Sequence, residues 1–122
     1  MKWLENLAEW FGDRFIPRYR AQFVEDLPDR LVKHRVYFVG EKEEAWQAAL
    51  LCPCDCDALI QLSLVERDNP SWRATIDRRG LVTLHPSIWR TKGCRAHFFV
   101  RHGRIAWARD SGVALPADSR HY

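Results

Sequence analysis

A chain of 122 residues that is 47% hydrophobic and 29% charged has the size and make-up of one globular domain, which excludes a multidomain machine and wholesale disorder. A mean hydropathy of -0.39, with no apolar run of the roughly 18 residues a membrane span needs, excludes a transmembrane helix. The net charge of +3 hides an asymmetry: residues 1–70 carry 9 basic and 13 acidic side chains, whereas residues 71–109 carry 9 basic ones and a single acid, Asp77. A basic second half suits an acidic protein or a nucleic-acid backbone, although arginine on outward strand faces also keeps sheet edges soluble.

The chain opens with MKWLENLAEWFGDRF, where Trp3, Leu4, Leu7, Trp10, Phe11 and Phe15 recur at steps of three and four with Glu5, Glu9 and Asp13 between them. This spacing predicts an amphipathic helix that packs on the body of the domain and stops near Pro17. Acids among the apolar residues and the lack of a small-residue cleavage site argue against a secretory signal, so a cytoplasmic location is expected. After a link, Arg35–Val39 reads as a buried strand ended by Gly40, and the apolar run Ala45–Leu51 leads into the cysteines. Strands are then predicted over Leu59–Val65, Trp72–Ile76, Leu81–Leu84, Ala96–Val100 and Arg104–Ala108, separated by turn signals at Asp68-Asn69-Pro70, Arg79-Gly80, Pro86 and His102-Gly103. The expected fold is mainly β within the α+β class. A helix and link over 1–24 precede a small antiparallel β domain over 25–109, stapled by zinc, and a loose tail follows over 110–122.

All four cysteines fall in two places: LLCPCDCD supplies Cys52, Cys54 and Cys56, and GCRAHF supplies Cys94, with His97 three residues on. Clustered thiols in a cytoplasmic chain point to metal rather than to disulfides. Zinc at about 2.3 Å from each sulfur needs sulfurs roughly 3.7 Å apart, so the Cys-x-Cys-x-Cys strand must turn at Pro53 or Asp55. Two ligand sets drawn from these five residues are chemically sound. One pairs Cys52 and Cys54 with Cys94 and His97 and leaves Cys56 over; the other uses all four thiols and frees His97. With five candidate ligands, a closed structural site is expected rather than a catalytic one with an open position.

His85-Pro86-Ser87 places a hydroxyl beside an imidazole, which matters only if nucleophile and base meet in space. Ser87 read alone is a turn or cap hydroxyl. Cys56, if it is not a ligand, is a further nucleophile candidate beside His97 or His85.

The strings LPDRLVKHRVYFVGE, LCPCDCDALIQLSL, PSWRATIDRRGLVTLHPSIW and GCRAHFFVRHGRIAW, over about residues 27 to 108, resemble the BubE family of small bacterial and phage proteins. Members carry a CPCGCG motif, a PSI turn and a C-x-SHF motif before an aromatic-ending strand. Some lie in ubiquitination-like operons beside a ubiquitin-like modifier and its activating and conjugating enzymes. The resemblance implies a hydrolase, a deubiquitinase-like serine peptidase or isopeptidase working on the modifier's C-terminal tail, with the conjugation enzymes of the same operon as further partners and antiphage defence as the setting. Two departures stand out. Asp55 and Asp57 replace glycines of the CPCGCG pattern, and Ala96 occupies the serine position of C-x-SHF. If that serine is the nucleophile, the chain as it stands is inactive; His85 is then the preferred base if His97 holds zinc, His97 is the base if Cys56 completes an all-thiolate site, and Ser87 is a secondary nucleophile. The alternative is a zinc-stabilised binding module without chemistry, whose basic half holds an acidic protein or, less favoured, nucleic acid.

Overall fold

The computed structural model describes residues 17–41 and 44–112. Among them the chain forms eight strands in order: β1 (Arg20–Val24), β2 (Arg35–Glu41), β3 (Glu44–Leu51), β4 (Leu59–Ser63), β5 (Arg73–Ile76), β6 (Val82–Trp89), β7 (His97–Arg101) and β8 (Arg104–Trp107). They make two four-stranded sheets, β1-β2-β3-β4 and β5-β6-β7-β8. The mainly β character expected from the sequence is therefore present, and no helix occurs among the described residues. The helix expected before Pro17 lies outside them, as do residues 113–122 of the expected tail.

Each sheet turns one face inward. Alternation along the strands sends Val36 and Phe38 of β2, Ala48 and Leu50 of β3, Ile60 and Leu62 of β4 into the same apolar core as Val82, Leu84 and Ile88 of β6, Phe98 and Val100 of β7, and Trp107 of β8. Phe98 and Trp107 meet edge to face, with centroids 5.7 Å apart. Strand β2 is buried on both faces, from Val36 to Gly40. Its outward Tyr37 sits opposite the small Ala49 of β3, and the phenol oxygen accepts the Val32 N–H at 2.9 Å. That explains why RVYFV reads as a continuous apolar run and not as an alternation.

The sheets differ from a purely antiparallel arrangement in one pair: β1 runs parallel to β2, Arg20 opposite Arg35 through Val24 opposite Val39. The β7–β8 hairpin turns through His102 and Gly103, with φ of 48° and 77°, the two positive angles of a type I′ connection. A Cβ on Gly103 would also lie 2.9 Å from the Tyr19 carbonyl oxygen, so this position takes glycine for two reasons.

Candidate active site and thiol cluster

The β6–β7 pairing contains the irregularity that makes the site. Leu84 pairs with Val100 and Ile88 with Phe98, so four steps along β6 match two along β7, and His85-Pro86-Ser87 forms a bulge. Bulges re-aim side chains. Beyond it the register resumes, with Trp89 opposite His97. Ser87, two residues from Trp89 on the same face, becomes the diagonal neighbour of His97. Its Oγ lies 3.0 Å from His97 Nε2, and the other ring nitrogen, Nδ1, lies 2.6 Å from Asp110 Oδ1.

Asp110 reaches the ring because the chain after β8 folds back over the start of β7. The Ala108 N–H donates to the His97 carbonyl at 2.9 Å, Ser111 N–H to Ala108 at 3.1 Å, and Gly112 N–H to Arg95 at 3.0 Å. The His97 N–H in turn donates to Ser111 Oγ at 3.2 Å. Gly112 is needed at this crossing: a Cβ there would lie 2.8 Å from Arg95 Cβ and 3.0 Å from the Cys94 carbonyl oxygen. The first three residues of the segment read as a loose tail are thus hydrogen-bonded to the β6–β7 connection or to its neighbours.

A carboxylate can only accept, so the hydrogen shared with Asp110 belongs to His97 Nδ1, which leaves Nε2 free to accept from the Ser87 hydroxyl. The imidazole is largely buried, at 13% exposed, whereas the Asp110 side chain is 57% exposed. Trp89 covers one ring face, its plane within 7° of the imidazole's, and the Phe99 ring centroid lies 5.9 Å away. Trp72 Nε1 donates to the Ser87 carbonyl at 3.3 Å, which fixes the main chain of the bulge.

The four cysteines form a separate cluster. Their sulfurs all lie within 4.8 Å of one another, with Cys52 Sγ 3.3 Å from Cys54 Sγ and 3.7 Å from Cys94 Sγ. Turns on both sides create it. Asp55 and Asp57, at the glycine positions of the CPCGCG pattern, have φ of 67° and 62°, and Arg95 has φ of 53°. Aspartate is one of the few side chains that enters this left-handed region readily, so it can stand here in place of glycine. The Asp55 N–H closes the turn on the Cys52 carbonyl at 3.2 Å.

The surroundings are arranged for negative charge. Arg90 Nη1 lies 3.0 Å from Cys94 Sγ and 3.4 Å from Cys56 Sγ. Burial raises the Cys52 and Cys54 thiols, with neighbouring thiols adding to the rise at Cys54. At Cys94 burial also pushes upward, but the Ala96 N–H and the surrounding thiols more than offset it and bring the group down to about 7. Sulfur spacings near the tetrahedral value, amide donors and a guanidinium suit a divalent, thiolate-seeking metal ion.

The other candidates are placed as follows. Ala96 is fully buried and joins the shared core, and its carbonyl accepts the Arg90 N–H at 2.8 Å. His85 is exposed on β6, opposite Arg73, and lines a groove described below; the imidazole bonded to Ser87 is that of His97. Cys56 sits with the other thiols, and His97, its nitrogens facing Ser87 and Asp110, stands outside the cluster. Asp110 was not singled out by sequence reasoning. Its only local signal is an acid shortly after the last strand, and the contact with His97 spans 13 residues.

No helix among the described residues is long and apolar enough to cross a membrane. Comparison with curated proteins and with solved structures finds no match. A family described as bacterial ubiquitination-like system serine protease (BubE) matches residues 23–108, a span that holds Ser87, His97 and all four cysteines and ends two residues before Asp110. With most of its length so matched, the chain belongs to the BubE family.

Proposed function

We propose that the chain is a serine peptidase or isopeptidase of a ubiquitin-like modifier, with Ser87 as nucleophile, His97 as general base and acid, and Asp110 as the group that orients His97. One observation carries this reading: the continuous Ser87–His97–Asp110 hydrogen-bond chain, at 3.0 and 2.6 Å. In the first step Ser87 Oγ attacks the scissile carbonyl carbon while His97 Nε2 takes the hydroxyl proton. The C–N bond then breaks as the imidazolium gives that proton to the leaving amine. Water next attacks the acyl-enzyme with its proton going to Nε2, and Ser87 is released as the hydroxyl. Asp110 holds the His97 ring in this orientation and stabilises the imidazolium each time it forms.

This assignment makes Ser87 the nucleophile and leaves Ala96 as a core residue. A hydroxyl at 96 would enter the apolar interior, because neighbours along an extended strand point to opposite faces. On this reading alanine at 96 does not disable the chain. The substrate is the C-terminal tail of the modifier of the same ubiquitination-like system, and the system's conjugating enzymes are the partners in whose products the bond occurs. The thiol cluster holds one structural zinc ion through Cys52, Cys54, Cys56 and Cys94; when bound, the ion staples the β3–β4 turn to the β6–β7 connection and takes no part in the chemistry.

The test uses the modifier carrying a C-terminal extension, with cleavage followed by mass. The wild-type chain should cleave, Ser87→Ala should lose at least about 10³-fold in rate, and a fluorophosphonate should label Ser87. Cleavage by Ser87→Ala at the wild-type rate would sink the assignment.

A further inference from the structure

Beside the bulge runs a groove of about 930 Å³, with Phe23, Phe38 and Leu64 on one wall, β5 on the other, and His85 and Pro86 at its end. The inner wall has an unusual property, which follows from the hairpin register. The Asp77 N–H donates to the Leu81 carbonyl at 3.0 Å, so Asp77 and Leu81 are a hydrogen-bonded pair. In an antiparallel ladder bonded and non-bonded pairs alternate. Thr75 with Thr83 and Arg73 with His85 are therefore bonded, whereas Ala74 with Leu84 and Ile76 with Val82 are not. Val82 confirms the parity from the other side: its N–H donates to Tyr19 at 3.3 Å and its carbonyl accepts from Gly103 at 2.8 Å, both away from β5.

The amides and carbonyls of Ala74 and Ile76 thus point away from β6, and no described residue bonds to them. The next position of the same parity, Trp72, is capped, with its N–H on the Ser63 carbonyl at 2.8 Å. What is left is a two-residue ladder, spaced for one added strand, beside an apolar wall on which Phe23 is 57% exposed. Followed from Ile76 towards Trp72, the ladder leads to the carbonyl of Ser87, on which the Trp72 indole sits.

Resting on the reading of Ser87 as nucleophile, we propose that this groove is the substrate channel. An extended peptide segment with apolar side chains at alternate positions adds to the free edge of β5 through Ala74 and Ile76, and is delivered past Trp72 to Ser87. Main-chain hydrogen bonds supply the grip, and the wall of Phe23, Phe38 and Leu64 selects the side chains. A helical substrate segment would not fit, because its backbone groups are already paired within the helix.

Proline separates this ladder from the fold. At position 74 it removes an N–H that no β6 residue uses, and an edge strand tolerates it. The probes are fluorescein-labelled ten-residue peptides with leucine or valine at every second position, and the same peptides N-methylated at every second residue. Anisotropy is read on the full chain carrying Ser87→Ala, so that binding is measured without turnover. Binding should be lost on N-methylation and weakened at least tenfold by Ala74→Pro, with Tm within a few degrees of the parent. Phe23→Ala should weaken it severalfold. The proposal is overturned if no peptide binds, whether a second copy or the chain's own residues 1–16 fill the edge, or if N-methylated peptides and Ala74→Pro bind as well as their parents. Failure of the nucleophile assignment reads differently: Ser87→Ala would still cleave while the peptide binding persisted.

Discussion

The Trp89 indole lies flat on the His97 imidazole, ring centroids 4.6 Å apart, while 56% of the tryptophan remains exposed. With both ring nitrogens engaged at the edge, the stack removes the remaining freedom of the ring to tilt. Trp89→Leu should lower kcat about three- to tenfold, with little change in KM. Trp89→Phe should recover most of the loss. Equal kcat values for all three proteins would remove the stack from the mechanism.

Asp110 sets the tautomer of His97, so Asp110→Asn offers an amide that can present its NH₂ to Nδ1 and leave Nε2 protonated, unable to accept from Ser87. Cleavage should fall by about 10²–10⁴-fold with Tm nearly unchanged, since the side chain is exposed. A loss below about fivefold would show that the carboxylate contributes only to packing of the chain end.

Gly112 controls the same carboxylate from two residues away. Gly112→Ala places a methyl against Arg95 Cβ and the Cys94 carbonyl, which forces the 108–112 crossing outward. Activity should drop about tenfold or more, with a stability cost of about 1 kcal/mol, within the ordinary range for single substitutions. Wild-type activity in this variant would mean that the crossing is not what places Asp110.

The thiols should make stability depend on metal and on pH. Native mass spectrometry should show one zinc per chain, and its removal, or Cys52→Ser or Cys94→Ser, should lower Tm by ten degrees or more, because binding free energy to the folded state adds to folding free energy. In the reduced, metal-free chain the signs of two contributions differ. Cys94, lowered from 9 to about 7, adds stability that is present above pH 9 and lost as pH falls through 7. Cys52 and Cys54, raised above 9, add stability that is present below 9 and lost at higher pH, and buried Tyr19, raised to about 12, acts in the same sense above pH 10. Denaturant midpoints should therefore rise from pH 7 towards 9 and fall beyond it. A flat profile from pH 6.5 to about 10 would contradict the arrangement of thiols described here.

Much of the β body was legible because its signals are local. Alternation marks Ile60 and Leu62, glycine marks the turn at His102-Gly103, and the two cysteine clusters mark the thiol site. Strand β1 was not legible: RAQFV has little alternation, and what holds it is a parallel partner 15 residues away, Arg35 opposite Arg20. The extent of β6 past Leu84 was missed for a similar reason, since Pro86 reads as a break when it lies in fact within a bulge. Ser87 and His97 were both visible as candidates, but which histidine meets Ser87 depended on a register shift between Leu84 and Ile88 that has no sequence period. Asp110 depended on a chain crossing, held by main-chain bonds to which side-chain identity contributes little.

Tyr19, Arg20 and Ala21 bond alternately to the two sheets. The Tyr19 N–H goes to Gly103 and Ala21 N–H to Gly80, at 2.7 and 2.9 Å, while Arg20 N–H turns the other way to His34 at 3.3 Å. Three consecutive residues are thus the thread of a seam. Two four-stranded sheets with separate ladders could loosen one after the other. Stitched along this line and sharing one core, they should instead open together, with amides of β2 and β7 exchanging at the same free energy and a calorimetric enthalpy equal to the van't Hoff value. The face that carries Ser87 and His97 then inherits the rigidity of the other sheet.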